Sequence, residues 1–134
     1  MTPEPAQPLR GALWQRAAWL GFALAVLLQL AVLYAPSTPD GVPGIPGLDK
    51  LVHAGVFLLP ALLGVLAGLG PWRLGIVLAA HAVVSELVQH LLLPQRSGDV
   101  LDVLADLAGV AAGLALGLVL RRLQSRRERG SAAS

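Results

Sequence analysis

Apolar residues in this chain fall into four long runs, residues 17–34, 51–69, 72–93 and 100–120, each close to the length of about 20 residues that a helix needs to cross the hydrocarbon core of a bilayer. In lipid, backbone polar groups have to be satisfied within the segment, so runs of this kind are helices. The pattern predicts an all-α polytopic membrane protein, a four-transmembrane-helix bundle. Residues 35–49 form an outer loop in which Pro36, Pro39, Pro43 and Pro46 alternate with Gly41, Gly44 and Gly47, leaving no room for a helix or a paired strand. A short turn at residues 70–73 joins the second and third runs. Trp14 and Trp19 flank the start of the first run, Tyr34 its end and Trp72 the start of the third, as amphipathic aromatics do at membrane interfaces.

Composition agrees: 55% hydrophobic and 13% charged over 134 residues is too apolar for a soluble domain of this size. The net charge of +2 hides an asymmetry. With four spans, Arg10, Arg16, Arg73, Arg121, Arg122, Arg126, Arg127 and Arg129 share one side, and Lys50 and Arg96 lie on the other. The positive-inside rule then places both termini in the cytoplasm. This divides the chain into a disordered cytoplasmic N-terminus at 1–12, a transmembrane domain at 13–120 and a basic cytoplasmic tail at 121–134. The tail is read as a topology determinant, so the lipid bilayer is an expected partner and nucleic acid is not. Arg10 and Arg16 precede the first run as they would in a secretory signal. That run exceeds a signal's apolar core, however, and Pro36 follows Ala35 where cleavage would fall, so it is expected to remain as a span. No cysteine is present, which excludes disulfides and thiolate metal ligation.

Glu86, Asp102 and Asp106 lie inside spanning runs. A charge at mid-span costs about 2.5 to 3.5 kcal/mol, which makes each a functional-site hypothesis in search of a partner. On a helix turning about 100° per residue, Asp99, Asp102 and Asp106 share a face within about 60°, Glu86, Gln89 and His90 subtend about 100°, and Asp49 and His53 about 40°. At a rise of about 1.5 Å per residue, Glu86 and Asp106 lie about 10 Å below the outer ends of their runs and His53 about 5 Å. All open toward one side. The spacing predicts a polar cavity in the outer half of the membrane, roofed by the turn that carries Arg96. His81 lies about 140° from Glu86 and reads as an interhelical hydrogen-bonder, Ser85 as a local backbone bonder, and Asp49 as a helix cap or first-turn residue as well as a site candidate. Asp102, Asp106, Gly109, Gly113 and Gly117 form one stripe. With Gly64 and Gly68 these glycines make small-xxx-small rows, which serve contacts within one chain or in a homo-oligomer alike.

Three chemistries fit the polar set. His53, Glu86, His90, Asp102 and Asp106 offer imidazole and carboxylate ligands for a divalent metal cofactor such as zinc, manganese or iron, although no tight ligand motif is present. Glu86, Asp102, Asp106 and His53 form a candidate catalytic set, because like charges held close in low dielectric cannot all ionise and would share protons as a general acid does. Arg96, Lys50, Gln89 and Asp49 form a candidate ligand-binding set, the two cations holding a phosphate or carboxylate that arrives from outside. Against these stands interhelical glue, worth about 0.6 kcal/mol per contact, which amides and hydroxyls would supply at lower insertion cost. A proton-coupled transporter would need polar residues through the inner halves of the spans, and those are almost entirely apolar.

The residues Asp49-Lys50-x-x-His53, Glu86-x-x-Gln89, Pro94-x-Arg96 and Asp102-Val-Leu-Ala-Asp106-x-x-Gly109-x-x-x-Gly113 resemble, in order and spacing, the VanZ-like family of small bacterial membrane proteins. The likeness covers about residues 48–117. This chain has Pro94-Gln95-Arg96 where the family often has Pro-Gly-Arg, and Asp106 where the family often has Asn, which adds a potential charge to the site. The resemblance implies a multi-pass protein of the bacterial cytoplasmic membrane with an envelope function, since the family's namesake is associated with resistance to the glycopeptide teicoplanin. The implied partner is a lipid-linked envelope precursor or the glycopeptide itself. Whether the chain is an enzyme, a binding protein or a structural accessory bundle is left open at this point.

Overall fold

A computed structural model describes residues 7–34, 47–93 and 100–131. They form four helices, α1 (Gln7–Tyr34), α2 (Leu48–Leu66), α3 (Pro71–Leu92) and α4 (Val100–Ser131), with no strand among the described residues. Most of the expected outer loop, the Arg96 turn and the first six residues lie outside the described residues. Each helix contains a stretch long and apolar enough to cross a membrane: Gly11–Tyr34, Leu48–Leu66, Pro71–Leu92 and Val100–Arg127. Leu20, Leu24 and Leu27 of α1, Ile76 and Val77 of α3, and Leu116 and Val119 of α4 point outward. Such a surface would aggregate in water, and it is the ordinary exterior of a protein that contacts lipid. The chain is a multi-pass, all-helical bundle.

Helix ends depart from the sequence expectation for local reasons. α1 starts at Gln7, within the segment expected to be disordered, because Pro8 occupies the first turn, where its missing N–H costs nothing, and helix-forming Ala, Leu, Gln and Arg residues follow. α4 continues through the basic tail to Ser131, and Arg129 Nε donates to the Ser125 carbonyl at 3.2 Å. α2 stops at Leu66, short of residue 69, because Gly68 takes a left-handed φ of 96°. Leu69 N–H then donates to Gly64 O at 2.9 Å and Gly68 N–H to Val65 O at 3.0 Å, the paired bonds of a Schellman stop. Pro71 opens α3 two residues later, in the position where proline is favoured.

α2 is the central helix, and its most extensive partner is α4. The two run parallel, in register. Gly109 lies against the backbone of Ala54, Gly113 against the Leu58 carbonyl and the Ala61 methyl, and Gly117 against the Val65 side chain. The glycine row of α4 is therefore used within the chain, where it lets two backbones approach as closely as small residues allow. Gly64, on another face of α2, receives Phe22 from α1 and Leu74 from α3. Phe57, Ala61, Val65, Leu33, Leu74, Leu78, Ala82 and Val110 fill the remaining interior.

This seam makes a test of packing. A Cβ on Gly113 would fall 2.7 Å from the Ala61 Cβ and close to the Leu58 carbonyl, so Gly113→Ala is expected to destabilise the bundle by about 1 to 3 kcal/mol. Gly55, on the same α2, has no atom within 4 Å of such a Cβ, and Gly55→Ala should leave stability unchanged or raise it by about 0.5 to 1 kcal/mol. Unfolding in detergent micelles compares the two, and equal effects would contradict the seam.

Candidate functional site

The parallel register that pairs Gly109 with Ala54 continues toward the end of the bundle where α2 and α4 begin and α3 finishes. One turn along, His53 meets Asp106, with Nδ1 3.0 Å from Oδ1. One turn farther, Lys50 Nζ donates to Asp102 Oδ1 at 3.0 Å. The same ammonium also donates to the exposed Asp49 at 3.1 Å. Asp106 is fully buried, while the Lys50 side chain stays one-third exposed at the rim. Acids and glycines thus share a stripe on α4, as their spacing predicts, and α2 answers each acid with a base.

α3 supplies the third group. Glu86, itself buried, places Oε1 3.6 Å from His53 Nδ1. One donor atom from each of His53, Glu86 and Asp106 lies within 4.8 Å of the others, so side chains from three helices converge on a single point. Gln89, one turn along α3, donates from Nε2 to the Leu33 carbonyl at 3.1 Å. Leu33 lies in the last turn of α1, where carbonyls have no intrahelical donor, so Gln89 closes a helix end and brings α1 to the edge of the site. Asp106 Oδ2, in contrast, has no hydrogen-bond donor among the described residues.

Other candidates take other places. His90 is exposed on the outside of α3 and does not join the cluster, because Ala82, Ser85, Glu86 and Gln89 already define the inward stripe and His90 lies past its edge. Asp49 is an exposed first-turn residue of α2 held by Lys50, and the N-cap position belongs to Gly47. His81 is hydrogen-bonded to the Tyr34 hydroxyl at 3.2 Å and packs in a tilted contact with its ring 5.6 Å from that of Phe57, the interhelical role its angle implied. Ser85 Oγ donates to the Ala82 carbonyl, a local bond as expected. Arg96 and Asp99 lie outside the described residues. Sequence reasoning passed over Gln29 of α1, which is buried with its Nε2 unpartnered among the described residues. The available signal was a lone amide in an otherwise unbroken apolar run.

An imidazole between two buried carboxylates can exchange protons with either, and a carboxylate fixed on Nδ1 sets the ring's orientation. The same three groups offer the ligand atoms of a cation site. Lys50 and Asp102 stand above them at the rim, where an incoming anion would compete with Asp102 for the ammonium. The His53–Asp106 contact is expected to exceed the average membrane hydrogen bond of about 0.6 kcal/mol, because Asp106 has no water to fall back on. A double-mutant cycle of His53→Ala and Asp106→Ala should give a coupling of about 1 to 3 kcal/mol, whereas His90→Ala should be neutral within about 0.5 kcal/mol. A coupling near zero would mean that the contact is incidental.

Comparison with protein-family models, with curated proteins and with solved structures gives no match.

Proposed function

We propose that this chain is a VanZ-like protein of the bacterial cytoplasmic membrane, with both termini in the cytoplasm, and that its polar pocket in the outer half of the bilayer binds or acts on a lipid-linked cell-envelope component. The observation that carries the reading is the convergence of buried His53, Glu86 and Asp106 from three helices on one point. Interhelical glue would be served by single pairs. Three ionisable groups at one point inside a membrane bundle carry an insertion cost that a function accounts for.

In this reading, each group has a role. Lys50 supplies a cationic contact for the phosphate of a lipid-linked ligand, Arg96 is assigned the same role from the sequence alone, and Asp102 keeps Lys50 in place until the ligand displaces it. Glu86 and Asp106 exchange protons with the ligand through His53, and Gln89 holds α3 against α1 so that Glu86 stays in reach. Arginines on the cytoplasmic side and only two cations on the other support the orientation. A second reading, an accessory bundle with no ligand, is favoured by one observation: His53–Asp106 and Lys50–Asp102 already pair within the chain.

Drug susceptibility separates the two. Expression in a glycopeptide-susceptible bacterium is expected to raise the inhibitory concentration of teicoplanin, and Glu86→Gln at an equal membrane level should return it to that of the empty vector. Protection that survives Glu86→Gln and Asp106→Asn would favour the accessory bundle. A wild-type chain that neither protects nor retains an anionic lipid through purification would overturn the proposal.

A further inference from the structure

The geometry points to a divalent-cation site formed by His53, Glu86 and Asp106, for an ion of the zinc and manganese class. The inference deepens the proposed role of this cluster, and it rests on that cluster performing chemistry rather than packing alone.

The first argument is metrical. An ion held about 2.0 to 2.1 Å from an imidazole nitrogen and about 2.0 to 2.2 Å from carboxylate oxygens sets neighbouring ligand atoms about 3.3 to 3.5 Å apart in a tetrahedron. In an octahedron of similar radius, neighbouring ligand atoms lie about 3 Å apart. His53 Nδ1 stands 3.0 Å from Asp106 Oδ1 and 3.6 Å from Glu86 Oε1, distances that bracket both cases. The three donor atoms all lie within 4.8 Å of one another, so an ion would draw them together from positions already close to its coordination shell.

The second argument is independent of that spacing. Asp106 is fully buried, and its Oδ2 has no donor among the described residues. A buried carboxylate oxygen without a partner loses more than the 1 to 3 kcal/mol typical of a neutral group. A bound cation would supply the missing partner, one that the amide of an Asn at that position would not need.

The donor set selects the ion. One imidazole and two carboxylates, without thiolate, suit zinc or manganese, whereas calcium takes six to eight oxygens and copper(I) prefers sulfur. Three protein ligands leave a coordination position open, as in sites that present a water or a substrate oxygen to the metal. That position would be available to the phosphate of a ligand anchored at Lys50.

The test uses the full chain in detergent micelles, stripped with a chelator and titrated separately with zinc and manganese by calorimetry, with elemental analysis of the protein as purified. One ion per chain is expected, together with a rise in thermal stability that grows with ion concentration. His53→Ala and Asp106→Asn should each weaken binding by more than the roughly 100-fold that loss of a supporting partner costs. His90→Ala should bind like the wild type. If Asp106→Asn does not insert, His53→Gln and Glu86→Gln carry the comparison. A wild-type chain that stays ion-free with both metals overturns the site, as does binding unchanged by every substitution of His53, Glu86 and Asp106. An ion-free chain whose teicoplanin protection still depends on Glu86 would sink the cation and leave the proposed function standing. Stoichiometric binding by a chain that neither protects nor retains an anionic lipid would do the reverse.

Discussion

The close parallel contact of α2 with α4 is the constraint on which the rest of this bundle depends. Apolar side chains gain little by leaving lipid for one another, so helices in a membrane associate through packing and polar contacts, and packing improves as backbones approach. Gly109, Gly113 and Gly117 remove the side chains that would hold α4 away from Ala54, Leu58, Ala61 and Val65. A short polar side chain can then bridge the remaining gap. Asp106 reaches His53 because Gly109, one turn along the same stripe, has already set the distance between the two helices.

The seam also fixes the order of polarity along the interface. Toward the start of both helices it runs Val65 with Gly117, Leu58 and Ala61 with Gly113, Ala54 with Gly109, His53 with Asp106 and Lys50 with Asp102. Apolar contacts occupy one part, and ionisable pairs occupy the last two turns, the outer of which lets the long Lys50 side chain reach solvent while the inner is buried. Lys50 at the rim and Asp106 in full burial are consequences of one register. A slip of α4 by one residue would rotate both acids by about 100° and separate them from their partners.

Much of this was legible in the sequence because it depends on periodicity. Four apolar runs gave the four helices, and the step from Asp102 through Gly117 gave the stripe on α4 and its inward direction. Angular spacing also separated His81 from Glu86 correctly. Three features escaped for physical reasons. The bond from Gln89 ends on the Leu33 backbone carbonyl, which no side-chain pattern announces. His90 shares an angular window of about 100° with Glu86 and Gln89, yet the inward face of α3 is rotated toward Ser85 and leaves His90 past the Glu86 edge, a detail set by neighbours rather than by the helix itself. The helix ends moved because local chemistry, Pro8 in a first turn and Gly68 at a left-handed stop, decides them, whereas hydropathy reports only where lipid begins. The family resemblance added a candidate setting for the site and no geometry.

The three groups at the site are not held equally. His53 and Asp106 belong to the two helices locked by the glycine seam, and their donor atoms are 3.0 Å apart. Glu86 belongs to α3, which packs less extensively on both α2 and α4 than those two pack on each other, and it stands off at 3.6 Å. Leu114 of α4 lies beside Gly75 of α3, far along the bundle from the site. Near the site, Gln89 ties α3 to the end of α1 instead. The architecture therefore combines a close pair with a third group, the Glu86 carboxylate, that stands farther off on a helix of its own. A proton shared among three groups requires little of such an arrangement. A charged ligand drawn between them would use it fully, because each increment of approach by Glu86 acts in a medium where Coulomb attraction is poorly screened.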